Sequence, residues 1–205
     1  DVSAIGFGAA SISGEGGGYG FGDISESDAI SLVHAAQDAG INLFDTAPIY
    51  GFGLSERRLG AALKGNRRDG AIIVSKCGID WDDSRRAGID NRPQTTRRMI
   101  EQSLRNLQTE MIDLYLVHWP DPNVDIRETF EVLVRAQEEG KLGAIGLSNT
   151  NPEDLNLAQE VGTVSVCQAQ DSFFQSWTRD HLFDKFHENK IGFMSWGTLE
   201  KGILT

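Results

Sequence analysis

The chain has 205 residues, of which 40% are hydrophobic and 24% charged, proportions that suit a globular protein with one good core. Its formal net charge of −11 at pH 7 disfavours nucleic acids and anionic membranes as partners, and no apolar run approaches the roughly 20 residues that a membrane span needs. The isolated Cys77 and Cys167 predict no disulfide framework, which favours a reducing compartment, the cytoplasm.

Seven short apolar runs predict β-strands along the chain. Runs that are apolar almost throughout are typical of strands buried on both faces. In chain order they are Ala4–Phe7, Asn42–Asp45, Ala71–Lys76, Ile112–His118, Ala144–Leu147, Val164–Ala169 and Gly192–Trp196.

Six helices are predicted between these strands. Four have a recognisable start in a capping residue or an acidic first turn, and Pro152 suits the first helical position of one of them. The predicted starts are Ser25, Ser55, Asp125 and Asn151, and the other two helices are predicted over about Pro93–Leu107 and Thr178–Asn189.

The strand–helix alternation predicts an α/β fold of parallel strands with right-handed crossovers. Seven strands with six intervening helices are too regular for a typical doubly wound sheet and favour a (β/α)₈ TIM barrel. We expect a single domain over residues 1–205, with the last helix-strand-helix portion of the barrel absent and a natural polypeptide that extends beyond Thr205. The glycine-rich stretch Gly14–Gly22 lacks the spacing of a dinucleotide-binding turn and predicts a flexible loop at the barrel mouth.

Titratable side chains stand at or just after the ends of three consecutive strands, where a barrel builds its active site. Each has an ordinary explanation when taken alone, such as a turn cap or a solvent-facing lysine, but their joint pattern indicates chemistry. A lysine beside a tyrosine is expected to lower the pKa of the phenol, and an aspartate would keep the lysine charged. A neutral histidine would orient a substrate oxygen for protonation. These residues are Asp45, Tyr50, Lys76 and His118.

Four segments that include these residues resemble the signatures of the aldo-keto reductase superfamily in order and spacing. They are Phe44–Gly51, Ile73–Lys76, Asp113–Pro120 and Gly143–Asn149. The resemblance extends along essentially the whole chain. It implies an oxidoreductase that transfers hydride from NAD(P)H to an aldehyde or ketone.

The resemblance also implies a role for each residue. Tyr50 would be the general acid, Lys76 its partner, Asp45 the counter-ion of the lysine, and His118 the orienting group. Ser148, Asn149 and Gln168 would hold the nicotinamide carboxamide, and Trp196 would stack on the ring. The segment that begins Gly197-Thr198-Leu199 resembles the loop that covers the pyrophosphate. NADP(H) is favoured over NAD(H), although the family's motif for the 2′-phosphate lies beyond Thr205.

The chain departs from the family pattern after Gln168, where Ala169–Ser172 replaces the usual tyrosine and asparagine. An acid at Asp171 is expected to alter the surroundings of the cofactor or substrate. The usual serine-proline of the pyrophosphate loop is likewise replaced by Gly197-Thr198.

Two alternatives to a working reductase remain open from the sequence. One is an auxiliary or sensor subunit that binds cofactor with little turnover, and the other is an incomplete barrel without activity. No metal site is expected, since the histidines form no close ligand pair. The partner is expected to be a small carbonyl compound, with the oligomeric state undetermined. Phe52, Trp81 and Trp119 are either walls of the substrate pocket or aromatic side chains packed on the barrel rim.

Overall fold

A computed structural model describes residues 1–15 and 19–205; part of the predicted glycine-rich loop, Gly16–Gly18, lies outside the described residues. The strands are β1 Gly6–Gly8, β2 Leu43–Asp45, β3 Ile72–Cys77, β4 Ile79–Trp81, β5 Ala87–Ile89, β6 Ile112–Val117, β7 Leu142–Ser148, β8 Val166–Gln170 and β9 Gly192–Trp196. The α-helices are α1 Glu26–Asp38, α2 Leu54–Ala62, α3 Asn66–Asp69, α4 Pro93–Leu107, α5 Ile126–Glu138, α6 Pro152–Val161 and α7 Trp177–Glu188, with 3₁₀ turns at Ala9–Ile12 and Glu200–Gly202.

Seven of these strands form one parallel sheet in the order β1-β2-β3-β6-β7-β8-β9. All seven predicted strands are therefore confirmed, and each pairs with the next predicted strand in the chain. Helices connect them, as parallel pairing requires. In the part of the chain that the structure describes, β1 and β9 are the outer strands of the sheet and do not pair with each other.

The two faces of the sheet carry separate apolar clusters. The larger cluster lies between the sheet and the helices and includes Ile73 and Cys77 of β3. The smaller one lies on the other face, where Val74 packs with Leu114 and Leu116 of β6. This alternation along single strands is the period of two expected of a pleated backbone, and it defines an inner face that is continuous from strand to strand.

Most of the predicted helix starts are confirmed by hydrogen bonds. The hydroxyl of Ser25 accepts from the backbone N–H of Asp28, Asp125 accepts from that of Arg127, and Asn151 caps α6 just before Pro152. The predicted cap at Ser55 is off by two residues, because α2 begins at Leu54 and Gly53 holds the cap position with a left-handed φ of 86°.

Ser55 instead points into the core, where it links three elements. Its hydroxyl donates to the carbonyl of Ala9 at 2.7 Å and is bonded to the Thr46 hydroxyl at 2.8 Å. The neighbouring carboxyl of Glu56 accepts from Ser75 of β3 and Asn106 of α4. Burial raises the pKa of Glu56 above its ordinary value. The first turn of α2 thus joins the ends of β1, β2 and β3.

The antiparallel hairpin β4–β5 was not predicted from the sequence. Its strands are short, and Asp80 and Gly88 at their centres prevent either from forming an apolar run. Asp82 closes its turn by accepting from the backbone N–H groups of Ser84 and Arg86. Among the described residues, no helix is long and apolar enough to cross a membrane.

Candidate active site

The predicted site residues share the inner face of the sheet because of strand periodicity. Lys76 lies two residues after the inward-facing Val74, and His118 lies two residues after Leu116. The same spacing places Gln168 after Val166 and Trp196 after Met194, both of which pack against the inner cluster. Since all these strands run in parallel, their carboxyl ends bring the polar side chains together at one end of the sheet.

Lys76 and Asp45 form a buried ion pair at this end. The Lys76 Nζ donates to Asp45 Oδ1 at 2.7 Å and to the carbonyl of Thr46 at 2.9 Å, and the side chain of Lys76 is only 1% exposed. Burial by itself lowers the pKa of Lys76, but the charge of Asp45 and the interactions with Tyr50 and with the Asp45 carboxylate outweigh it, so that the pKa is raised. The ammonium therefore stays charged.

Tyr50 lies between this ion pair and His118. Its ring centroid is 5.5 Å from Lys76 Nζ and 5.9 Å from the centroid of the His118 ring, which it meets edge to face at 89°. The loop that carries Tyr50 consists of consecutive turns leading into α2, with a bond from the Ser55 N–H to the Tyr50 carbonyl. The structure therefore brings together all four residues of the predicted catalytic group.

The electrostatics of the phenol differ from the sequence-based expectation. Lys76 does attract the phenolate, but burial is the larger effect, and it raises the pKa of Tyr50 above its ordinary value. The expected lowering of this pKa by the lysine is therefore wrong in net direction, because desolvation of the phenolate outweighs the attraction. Burial and, secondarily, the Lys76 charge hold the pKa of His118 well below its usual range, which keeps the imidazole neutral.

Ser148, Asn149 and Gln168 form a hydrogen-bonded cluster beside His118. The amide nitrogen of Asn149 donates to the His118 carbonyl and to the Ser148 hydroxyl, each at 2.9 Å. Ser148 donates to Gln168 Oε1 at 3.4 Å. The pairing of β7 with β8 places Ser148 directly beside Gln168, so neighbouring strands hold this predicted cofactor group together.

A cleft of about 730 Å³ lies beside Gln168 of this cluster and is also lined by Asp45, Tyr50 and Trp196 among others, but not by Ser148 or Asn149. Its volume lies within the usual range for cofactor sites. Trp196 is 38% exposed, so part of its ring is open to contact, and among the described residues no acceptor is found for the amide nitrogen of Gln168. A flat aromatic surface beside an amide with donors to offer fits a nicotinamide with its carboxamide.

The predicted pyrophosphate segment only partly lines the cleft. Gly197 and Thr198 do so, whereas Leu199 is 55% exposed and does not. The segment continues into the 3₁₀ turn, where Ser172 donates to the carboxylate of Glu200.

The predicted effect of Asp171 on cofactor or substrate is not visible in its contacts. Its Oδ2 accepts from Arg179 at 3.0 Å, and its backbone N–H donates to the Trp196 carbonyl at 3.2 Å. The acid is therefore paired with a cation, and its backbone supports the end of β9.

Sequence reasoning missed Thr46, whose carbonyl binds Lys76 and whose hydroxyl binds Ser55. The only signal was its place directly after Asp45. Every residue has a backbone carbonyl, so residue type does not show which carbonyl accepts a hydrogen bond. The sequence therefore could not identify this contact.

The aromatic candidates for the substrate pocket divide into two groups. Phe52 packs edge to face against Trp81 at 5.4 Å and against Tyr19 at 6.0 Å, and neither Phe52 nor Trp81 lines the main cleft. Their contacts favour the alternative of rim packing. Trp119 is 41% exposed and lines a separate hollow that also includes Asn149.

The described residues hold no group of three or more His, Cys, Asp or Glu side chains arranged to bind a metal ion. Cys77 and Cys167 are both buried and unpaired. Burial raises the pKa of each thiol to about 12, so neither is a reactive thiolate at neutral pH.

Comparison with protein families finds a match to the aldo/keto reductase family model over residues 4–205. The chain is 38% identical to the aldo-keto reductase YhdN of Bacillus subtilis, with 100% of this chain and 61% of the relative aligned. It is 32% identical to the NADH-specific methylglyoxal reductase of Escherichia coli, over 100% of this chain and 66% of the relative. The chain thus spans less than two thirds of the length of these curated relatives.

Solved structures with the same architecture include a glycerol dehydrogenase from Gluconobacter oxydans, with a TM-score of 0.89 and 33% identity over 100% of this chain and 62% of that one. An aldo/keto reductase from Klebsiella pneumoniae in complex with NADP and acetate matches with a TM-score of 0.82 and 25% identity, over 99% of this chain and 67% of that one. These similarities confirm the predicted barrel-type fold.

Proposed function

Since the chain belongs to the aldo/keto reductase family, we propose that the protein is an NAD(P)H-dependent reductase of aldehydes or ketones in which Tyr50 is the general acid. The observation that carries this proposal is the charged Lys76, paired with Asp45 and 5.5 Å from the Tyr50 ring centroid, in a site that also holds a neutral His118. Removing the Lys76 charge from water is costly, and charged groups in such surroundings cluster at functional sites.

Residues of the chain itself transfer the proton to the carbonyl oxygen in the proposed reaction. Because its pKa is raised, Tyr50 stays protonated at neutral pH and can donate as the carbonyl oxygen gains negative charge. The Lys76 ammonium then stabilises the phenolate that remains. A neutral His118 can donate a hydrogen bond to the same oxygen and so orient the carbonyl toward Tyr50.

The cofactor supplies hydride to the carbonyl carbon when it is bound. Ser148, Asn149 and Gln168 are proposed to hold its carboxamide, and Trp196 to stack on its ring. Gly197, Thr198 and Leu199 are proposed to lie against the pyrophosphate, with Leu199 contributing only if its exposed side chain turns inward. NADP(H) is proposed as the preferred form, supported by the NADP complex from Klebsiella pneumoniae, although the Escherichia coli relative is NADH-specific.

The class of substrate and the cellular location are proposed from the composition of the chain. The net charge of −11 suits a small uncharged carbonyl substrate better than nucleic acid or an anionic membrane. Two buried, unpaired cysteines suit the cytoplasm. The domain is proposed to include all of residues 1–205.

The direct test is oxidation of NADPH and NADH by the purified protein with a panel of reactive aldehydes that includes nitrobenzaldehydes. We expect turnover that depends on both cofactor and aldehyde, with a lower Kd for NADPH than for NADH. Tight cofactor binding without turnover on any aldehyde would instead support an auxiliary or sensor subunit. Absence of both binding and turnover would contradict the proposal.

A further inference from the structure

The backbone pairing of the two strands that lead to Lys76 and His118 ends directly at the site. At this end of β3 and β6, the N–H of His118 donates to the Cys77 carbonyl at 2.9 Å, as in a parallel ladder. One residue later Gly78 has a left-handed φ of 94°, and the chain leaves the sheet for the hairpin β4–β5. Beyond the Cys77–His118 bond, the backbone of β3 therefore turns away from that of β6.

The hairpin brings Asn91 back to this end of the two strands. Its first and last residues, Ile79 and Ile89, pair with each other, and the N–H of Asp90 donates to the Gly78 carbonyl at 3.0 Å. Asn91 follows directly in the chain and is only 1% exposed. The hairpin thus returns the chain to the point at which it left the sheet.

The side-chain amide of Asn91 bridges the two strands one residue past their last backbone bond. Its Nδ2 donates to the Trp119 carbonyl at 2.9 Å. Its Oδ1 lies against Gly78, where an added Cβ would be only 2.1 Å away. Gly78 and Trp119 are the residues that follow Cys77 and His118, so the amide occupies the place of the next connection between the strands.

The surroundings of Asn91 hold both its amide and its backbone. Turning the amide over would set Oδ1 against the Trp119 carbonyl, which would pair two acceptors. Oδ1 is buried, and among the described residues no donor is found for it, so the bond to Trp119 selects the orientation. The carbonyl of Asn91 accepts from the hydroxyls of Thr129 at 2.7 Å and Thr96 at 3.3 Å, which anchors the residue to α5 and α4.

We propose that Asn91 is a positioning residue, whose amide extends the connection between β3 and β6 by one step and so holds Lys76 and His118 in place relative to each other. Both residues depend on this connection, because Lys76 precedes Cys77 and His118 itself makes the last backbone bond. The ends of paired elements open more readily than their middles. The expected effect on turnover rests on the proposed function, whereas the effect on the surroundings of His118 does not.

The first test measures the surroundings of His118 in Asn91→Ala. In the wild type, burial and the charge of Lys76 hold the pKa of His118 well below its usual range. Opening of the strand ends would admit water and weaken both effects, so the pKa of His118 should rise toward about 6.5 in the variant. An NMR titration of the imidazole resonances, assigned by their loss in His118→Gln, measures this change.

Asn106→Ala is the matched control. Asn106 is another buried amide, 7% exposed, and it donates to Glu56 on the helix side of the sheet. The control should lose stability as Asn91→Ala does, yet keep the wild-type pKa of His118. If Asn91→Ala does not fold, Asn91→Ser takes its place, since a serine hydroxyl is too short to reach the Trp119 carbonyl but keeps a polar group that can bind water.

The second test follows turnover of a reactive aldehyde. We expect kcat to fall about twofold to tenfold in Asn91→Ala, which is the range that one neutral hydrogen bond supplies. Kd for NADPH should stay unchanged, because Asn91 does not line the cleft. Asn106→Ala should keep both quantities near those of the wild type.

The outcomes separate this inference from the proposed function. An unchanged pKa of His118 in Asn91→Ala overturns the inference, and so does an equal change in Asn106→Ala, which would show a general loosening of the fold. An unchanged kcat in Asn91→Ala overturns it as well. A wild type without cofactor-dependent turnover overturns the proposed function, and the NMR titration then decides the inference by itself.

Discussion

At the scale of single residues, two opposing effects act on the pKa of Tyr50. Burial raises this pKa, and the charge of Lys76 lowers it. We expect Tyr50→Phe to lower kcat by about 10²–10⁴-fold, the usual contribution of a general acid. Cofactor Kd should hardly change, because the hydroxyl is not proposed to bind the cofactor. Steady-state kinetics and a fluorescence titration measure the two quantities.

Tyr115→Phe is a suitable control for this variant. Tyr115 is fully buried and its hydroxyl lies 3.4 Å from that of Ser103, on the helix side of the sheet and away from the cleft. It should keep kcat near that of the wild type. Near-normal turnover in Tyr50→Phe would rule out the proposed acid.

His118 provides a pH-dependent prediction of stability. Burial, followed by the Lys76 charge, lowers the pKa of His118 in the folded protein, whereas in the unfolded chain it titrates near its ordinary value of about 6.5. Below that pH the unfolded state binds a proton that the folded state does not bind, and this favours unfolding. The contribution of His118 to stability is therefore present above about pH 6.5 and lost as pH falls.

Between pH 7.5 and 5.5 the loss should amount to about 1 kcal/mol for this group. Urea unfolding of the wild type and of His118→Gln at the two pH values measures it. We expect the wild type to lose more free energy of unfolding than the variant across this interval. Equal pH dependence in the two proteins would show that His118 is not buried in its neutral form.

At the scale of elements, the packing of α2 on α4 depends on a glycine. A Cβ on Gly60 would lie 2.4 Å from the carbonyl oxygen of Leu107, and backbone cannot give way as a flexible side chain can. Gly60→Ala should therefore destabilise the protein by about 1–3 kcal/mol, as overpacking does, despite the gain of up to about 1 kcal/mol in helix propensity.

Gly70→Ala is the matched control, since nothing lies within 4 Å of the Cβ that it would add and its φ is −96°. Denaturant unfolding should show it to be nearly neutral. If Gly60→Ala proved as stable as the wild type, α2 and α4 would have to lie farther apart than described.

At the scale of the whole molecule, the cleft connects the two outer strands of the described sheet. It is lined both by Gly8 and Ser11, near β1, and by Trp196 and Thr198, near β9. A cofactor bound in this cleft, as proposed, would bind the folded state only, so it should raise Tm with concentration. The expected stabilisation is about 2.7 kcal/mol at 100 times Kd.

Thermal melts over a series of cofactor concentrations check this expectation. Tyr50→Phe should keep the full shift, because the hydroxyl is not needed for binding, whereas Trp196→Ala should show a smaller one, since stacking is worth about 1–3 kcal/mol by analogy with nucleobases. If added cofactor did not change the Tm of the wild type, this result would contradict cofactor binding in the cleft.

The sequence by itself determined the order of the strands, the bounds of strongly patterned elements such as α4, and the placement of Asp45, Lys76 and His118 at strand ends. These properties depend on residue periodicity and on position within a strand, which are local to the chain. Parallel pairing then brings the strand ends together without further information.

Tertiary structure alone decided the sign of the pKa shift of Tyr50, the inward role of Ser55, the hairpin β4–β5 and the orientation of the Asn91 amide. Each depends on atoms distant in sequence: the protein that desolvates the phenol, the Ala9 carbonyl that binds Ser55, and the carbonyl of Trp119, 28 residues from Asn91. Desolvation and hydrogen-bond direction are set by what packs around a group in three dimensions, and no local pattern of residue types records them.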